Sequence, residues 1–255
     1  MTGTLVIAGL GPGNDALVTP EVTDALARAT DVVGYIPYVA RVAPRPGLQL
    51  HPSDNRVEIE RSNHALEMAA AGRHVVVVSS GDPGVFAMAA AVFEALEAGP
   101  TAWRSIEITV LPGITAMLAA AARAGAPLGH DFCAINLSDN LKPWSLIERR
   151  LKAAVAGDFA MAFYNPRSKA RPQGFETTLD ILKSACADNR PVIFARAVST
   201  AQEDIRVVPL QETQAEMADM RTMVIVGASN TRIIHRPDLP DIVYTPRSAE
   251  TGGSE

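Results

Sequence analysis

A chain of 255 residues exceeds the usual size of one compact core and suits two medium domains. Apolar residues make up 47% of it, enough for a packed interior, while a formal charge of −5 argues against a nucleic-acid partner, which is met with a basic excess. Only Cys133 and Cys186 are present, in no CxxC pair and near no His cluster, which disfavours a zinc site, leaves no metal expected and points to a reducing compartment. No basic region precedes the short N-terminal apolar run, and no apolar segment reaches the roughly 20 residues of a membrane span; the expectation is a cytoplasmic protein with no membrane partner.

In chain order, TLVIAGL at 4–10, HVVVVSS at 74–80 and IEITVL at 106–111 read as strands. Between them EVTDALARA, RSNHALEMAAAG and GVFAMAAAVFEALEAG repeat apolar positions at three- and four-residue spacing, the mark of helices. The alternation predicts an α/β domain with largely parallel strands. A second strand series, FCAINLS, FAMAFYN, PVIFARAV, IRVVPL and TMVIVGAS, has fewer helices between its members and predicts a mixed sheet. This places an N-terminal α/β domain at 1–113, a C-terminal α/β domain at 114–247, and a small polar tail at 248–255 that is expected to be disordered.

Three loops follow strands in the first half. GLGPGN, Gly9 to Asn14, invites a dinucleotide reading but fails it, because Pro12 and Gly13 break the chain where a Rossmann helix packs on its strand, and the next helix starts only near Pro20. At Gly81 to Gly84 a strand ends in small residues and one acid, at the edge of a parallel sheet where ligands bind. Asp82 either caps the following helix or accepts hydrogen bonds from a ligand's ribose or amino group; a phosphate is disfavoured beside a carboxylate with no P-loop lysine. In LPGITA, at 111–116, Thr115 stands at a helix start. Three such loops at strand ends suggest convergence on one small molecule.

GLGPG, SSGDPGVFAMA and LPGITA, in that order, resemble the tetrapyrrole methyltransferase family, and the resemblance spans nearly the whole chain. GYIPYV, SDNR, GAPLGHDFCAINLSDNLKPW and GDFAMAFYNPRSKARP are similar to its ring-contracting branch, which methylates precorrin-3B at carbon 17 in cobalamin synthesis. The resemblance implies two α/β domains, each with a central sheet, and S-adenosylmethionine in a cleft between them. By position, Gly81, Asp82, Val85 and Phe86 would carry the cofactor and Pro12 would border it. Thr115 and Ala116 would touch it near the domain junction, with Tyr164, Ala197 and Met223 closing over the adenine. A homodimer and transient contact with neighbouring pathway enzymes are also implied.

The implied substrate carries many carboxylates, which basic residues should meet. Between Asp139 and Arg171 there are seven basic residues against three acids. Arg149 and Arg150 read as a solvated helix face; Asn140, Lys142, Asn165, Arg167, Lys169 and Arg171 are the expected contacts, with Arg56 and Arg61 from the first domain. Ring contraction needs a proton removed and a lactone opened, so Asp54, His130 with its neighbour Asp131, Asp139 and Tyr164 are the acid and base candidates. Asp54 and Asp139 also suit plain turns, and a lone histidine is commonly a structural donor. Alternatives are the cobalt-containing substrate of the anaerobic route, another corrinoid position, or a sensor that binds an adenosyl ligand without chemistry.

Overall fold

A computed structural model describes residues 3–54, 57–168 and 171–248. The chain divides into two compact units, Met1–Thr115 and Ala116–Glu255.

The first unit runs β1 (Thr4–Gly9), α1 (Pro20–Arg28), β2 (Asp31–Tyr35), α2 (Ile36–Val39), β3 (Gln49–Ser53), α3 (Glu58–Ala70), β4 (His74–Ser79), α4 (Met88–Ala98) and β5 (Glu107–Leu111). Its strands form one sheet in the order β3-β2-β4-β1-β5, with every pair parallel. The valine run of β4 follows from its central place. Val75 and Val77 point into a core with α3 and α4, and Val76 and Val78 into a second core with α1, so both faces are apolar. Thr19 caps α1 by accepting a hydrogen bond from the Val22 N–H at 3.3 Å, with Pro20 in the first turn. Neighbouring strands β1 and β4 hand the chain to helices on opposite faces, so their carboxyl ends separate into the kind of crevice where α/β sheets bind ligands.

At the opposite, amino end of this sheet Asp31 is fully buried. It accepts hydrogen bonds from Arg73 Nε, from Thr30 Oγ1 at 2.7 Å and, at 2.9 Å, pairs with His51 Nε2. Burial pushes its carboxyl up, but Arg73, Thr30 and His51 outweigh that and hold it below the usual carboxylate range.

The second unit holds α5 (Ala116–Ala124), β6 (Gly125–Ala126), β7 (Phe132–Asn136), α6 (Trp144–Ala156), β8 (Ala160–Tyr164), α7 (Gln173–Ala185), β9 (Pro191–Arg196), β10 (Asp204–Pro209), β11 (Thr222–Val226), β12 (Arg232–Ile234) and β13 (Ile242–Tyr244). Its main sheet, β10-β9-β11-β8-β7, is mixed: β7 and β8 are parallel and the other pairs antiparallel. Ile147, Leu151, Phe163, Phe175 and Leu182 are fully buried between this sheet and its helices. A small second sheet runs β12-β13-β6. Among the described residues no helix is long and apolar enough to cross a membrane.

Candidate active site

In the first unit the three glycine loops meet at the carboxyl ends of β4, β1 and β5. Gly11 and Gly81 exchange backbone hydrogen bonds, Gly11 N to Gly81 O at 3.2 Å and Gly81 N to Gly11 O at 2.9 Å. Asp82 ties in the third loop: Oδ2 accepts from Gly113 N at 3.0 Å and Oδ1 from Gly84 N at 2.8 Å. Of the two roles open to Asp82, helix cap or ligand acceptor, the cap does not form, because α4 starts four residues past Gly84 with Ala87 as N-cap and no side-chain cap. The carboxylate braces two loops instead. A Cβ on Gly9 or Gly113 would strike main-chain atoms of the neighbouring loops, so those two glycines are required by packing.

Phe86 adopts φ 53°, a left-handed conformation that a bulky side chain enters only under constraint from its surroundings, and its ring is half exposed. Thr115 is buried just before α5. Two features of this edge were not legible beforehand. Arg41 Nη2 donates to Leu10 O at 2.8 Å and to Asp15 Oδ1 at 3.1 Å, pinning the Pro12 loop. Tyr38 stacks edge-on against Tyr35, and burial pushes its phenol up, opposed by a hydrogen bond with Ser80, so the phenol stays neutral.

Arg61 is turned inward. It is 4% exposed, with Nε donating to Ser53 Oγ at 2.8 Å, Nη2 to the Asp54 carbonyl and Nη1 to Met88 Sδ at 3.3 Å. The side chain expected to meet substrate carboxylates is thus held by acceptors of the protein itself. Asp54 itself is exposed, directly after β3. Arg56 and Lys169 lie outside the described residues.

In the second unit β7 and β8 end side by side, Asn136 level with Tyr164. Asn165, at φ 51°, donates from Nδ2 to Asn136 Oδ1 at 3.1 Å, and that oxygen also accepts from Ser138 N at 2.9 Å. Asn136 therefore orients Asn165, a role no sequence pattern announced. Around this corner Lys142 Nζ donates to Ser138 O at 3.0 Å and Arg171 Nη1 lies 3.5 Å from Asp139 Oδ1. Burial pulls the Lys142 ammonium down, helped by Arg150 and opposed by Asp139. Arg167 reaches Glu216 at 3.5 Å while its Nε is buried without a hydrogen-bond partner. Asn140 is exposed, and Tyr164 Oη accepts from Met117 N at 3.4 Å, next to Ala116 at the start of α5. Ala197, at φ 49°, and buried Met223 sit on the same edge, at the carboxyl end of β9 and the amino end of β11.

His130 is not brought to this corner. It precedes β7, its Nδ1 accepting from Asp131 N at 2.8 Å, so the five residues of β7, about 15 Å of strand, separate it from Asn136 and Tyr164. The His130–Asp131 pair shapes the turn into the strand.

A parallel sheet with cross-braced glycine loops, joined to a mixed sheet with a basic corner, defines a small-molecule methyltransferase of one family. Residues 4–214 match the Tetrapyrrole (Corrin/Porphyrin) Methylases, and the chain belongs to that family. More particularly, it is 54% identical over 247 residues to the Precorrin-3B C(17)-methyltransferase of Sinorhizobium sp, 97% of each chain being covered. It is 45% identical over 257 residues to the cobalamin biosynthesis protein CobIJ of Mycobacterium tuberculosis, covering 99% of this chain and 50% of that one. A crystal structure of the methyltransferase CobJ superposes with a TM-score of 0.92 at 66% identity, covering 96% of this chain and all of that one.

Proposed function

We infer that the protein transfers a methyl group from S-adenosylmethionine to carbon 17 of precorrin-3B and contracts the macrocycle to precorrin-4, a step of cobalamin biosynthesis. The observation that carries this reading is the 54% identity to a precorrin-3B C(17)-methyltransferase across 97% of both chains. The first unit's loops fit the cofactor. A Cβ at Gly84 would meet only Asp82 Oδ1, at 3.2 Å, so the main chain there is open to a close approach.

Bound S-adenosylmethionine supplies a methyl group activated by its sulfonium. The chain's work is alignment and exclusion of water, since an electron-rich ring carbon needs no strong base to attack in line. Gly81, Asp82, Val85 and Phe86 are assigned to hold the cofactor with Pro12 at its border; Thr115, Ala116, Tyr164, Ala197 and Met223 complete its surroundings. Lys142, Arg167 and Arg171, with Arg56 and Lys169, are assigned to the macrocycle's carboxylates, and Asn140 and Asn165 to its neutral polar groups. Asp54, Asp139 and Tyr164 are assigned to the proton transfers of contraction. The protein is placed in the cytoplasm, in keeping with its two free thiols, as a homodimer, in keeping with half-exposed Ile59 and Phe93 on α3 and α4. Transient contact with neighbouring pathway enzymes is supported by the M. tuberculosis relative, of which this chain spans half.

The test is incubation of the purified protein with precorrin-3B and S-adenosylmethionine, read by mass and absorbance. A product heavier by one methyl substitution and with the contracted chromophore is expected. Cofactor binding with unaltered tetrapyrrole would overturn the reading in favour of a sensor.

A further inference from the structure

Arg61 presents an energetic puzzle. A guanidinium 96% removed from solvent ordinarily faces a carboxylate, because burying a charge against neutral groups alone is costly. Among the described residues none lies within ion-pair distance; the acceptors are Ser53 Oγ, the Ser53 and Asp54 carbonyls and Met88 Sδ. Burial pulls its pKa down, opposed at longer range by Glu58 and Asp54, and a guanidinium remains charged regardless.

The partners show what the charge is for. Ser53 closes β3 and Asp54 follows it, whereas Met88 opens α4, two residues after left-handed Phe86 and six after Asp82. Arg61 projects from the first turn of α3 and bonds to both corners at once. Its planar fork satisfies the β3 corner through Nε and Nη2 while Nη1 faces the start of α4. A lysine has the charge but not the fork, and a leucine has neither.

We propose that Arg61 is a positioning residue of the methylation and contraction reaction, a buried clamp that sets the Asp54 corner against the Asp82–Phe86 turn. This rests on the assignment of those two segments to proton transfer and to the cofactor. A displacement of about 1 Å between reacting groups is enough to slow chemistry some hundredfold, so the clamp acts on turnover rather than on affinity.

The variants are Arg61→Lys and, should a lysine there compromise folding, the pair Ser53→Ala with Met88→Leu, which leaves Arg61 in place and removes two of its acceptors. Kinetics with precorrin-3B are expected to show kcat lowered about 100-fold in Arg61→Lys and about tenfold in the pair, with KM and the calorimetric Kd for S-adenosylmethionine within threefold of the parent. Added methylguanidinium should restore part of the kcat of Arg61→Ala. A folded Arg61→Lys, or the pair, with kcat within twofold of the parent overturns the proposal, as does an equal loss spread over kcat and cofactor affinity. Hydrogen exchange separates this from failure of the assigned function: should the parent leave precorrin-3B unchanged, that function falls, and the clamp then stands or falls on whether amides at 53–54 and 86–88 exchange faster in Arg61→Lys while those of β1 do not.

Discussion

Gly113→Ala places a Cβ 2.2 Å from the Gly81 carbonyl oxygen, 2.8 Å from that of Gly9 and 2.9 Å from the Gly9 carbonyl carbon. All three are main-chain atoms, so no side chain can swing aside. The loop must retreat by about 0.8 Å to restore a 3.0 Å contact, and a retreat of that size directed away from the Gly81–Asp82 turn stretches the 3.0 Å bond from Gly113 N to Asp82 Oδ2 to about 3.8 Å, outside hydrogen-bond range. Loss of a hydrogen bond to a carboxylate is worth about 1.5 to 3 kcal/mol, and residual overpacking adds about 1 to 3, giving about 2.5 to 6 kcal/mol together. Gly84→Ala is the matched control. Its Cβ would meet only Asp82 Oδ1, at 3.2 Å, and the reduced freedom of the unfolded chain offsets that contact to within about 0.5 kcal/mol. Urea denaturation measures both stabilities and titration calorimetry the S-adenosylmethionine affinities, which should fall at least tenfold for Gly113→Ala. Stability within 1 kcal/mol of the parent together with unchanged affinity would refute the picture of three loops locked through their glycines.

Asp31→Asn should remove about 2 to 4 kcal/mol of stability, below the figure for a fully buried pair because the Arg73 side chain is 38% exposed. The depressed Asp31 carboxyl stabilises the fold fully at neutral pH and loses that contribution as pH falls through its folded value, below about 4, so acid denaturation should be shallower in the variant. Arg171→Gln should raise KM for precorrin-3B about tenfold and leave cofactor affinity unchanged, as steady-state kinetics and calorimetry would show. His130→Ala, at the far end of β7, should keep kcat within twofold; a hundredfold loss would restore the histidine to the proton-transfer set.

Strands β4 and β11 were plain in the sequence because each runs apolar on both faces over about five residues, whereas β2, Asp-Val-Val-Gly-Tyr, was missed because its apolar run is only two valines before Gly34. Strand β3 was missed for a physical reason: it reads Gln-Leu-His-Pro-Ser, and Pro52 argues against a strand unless that strand lies on a sheet edge, which is where β3 runs. Strands β6, β12 and β13, two or three residues long, are too short to show a period. The glycine loops were legible because a turn at a strand end is a local event. The inward turn of Arg61 and the separation of His130 from Asp139 were not, since both depend on which face of a helix or which end of a strand is covered by segments distant in sequence. Asn136 was invisible for the same reason, as its partner Asn165 is 29 positions away.

Residues 242–245 are bound to the segment that follows the first helix of the second unit. β13 pairs in parallel with β6, Thr245 N donates to Ala126 O at 3.0 Å, and Thr245 Oγ1 reaches Pro127 O at 2.6 Å, 118 positions back along the chain. Synthesis proceeds in one direction, so Gly125 and Ala126 wait for more than a hundred residues before their partner exists, whereas the first sheet is complete once Leu111 has been made. The two halves should accordingly mature on different schedules, the first during translation and the second only after its closing strand arrives, with β6 and the Gly129 loop the last parts to become protected.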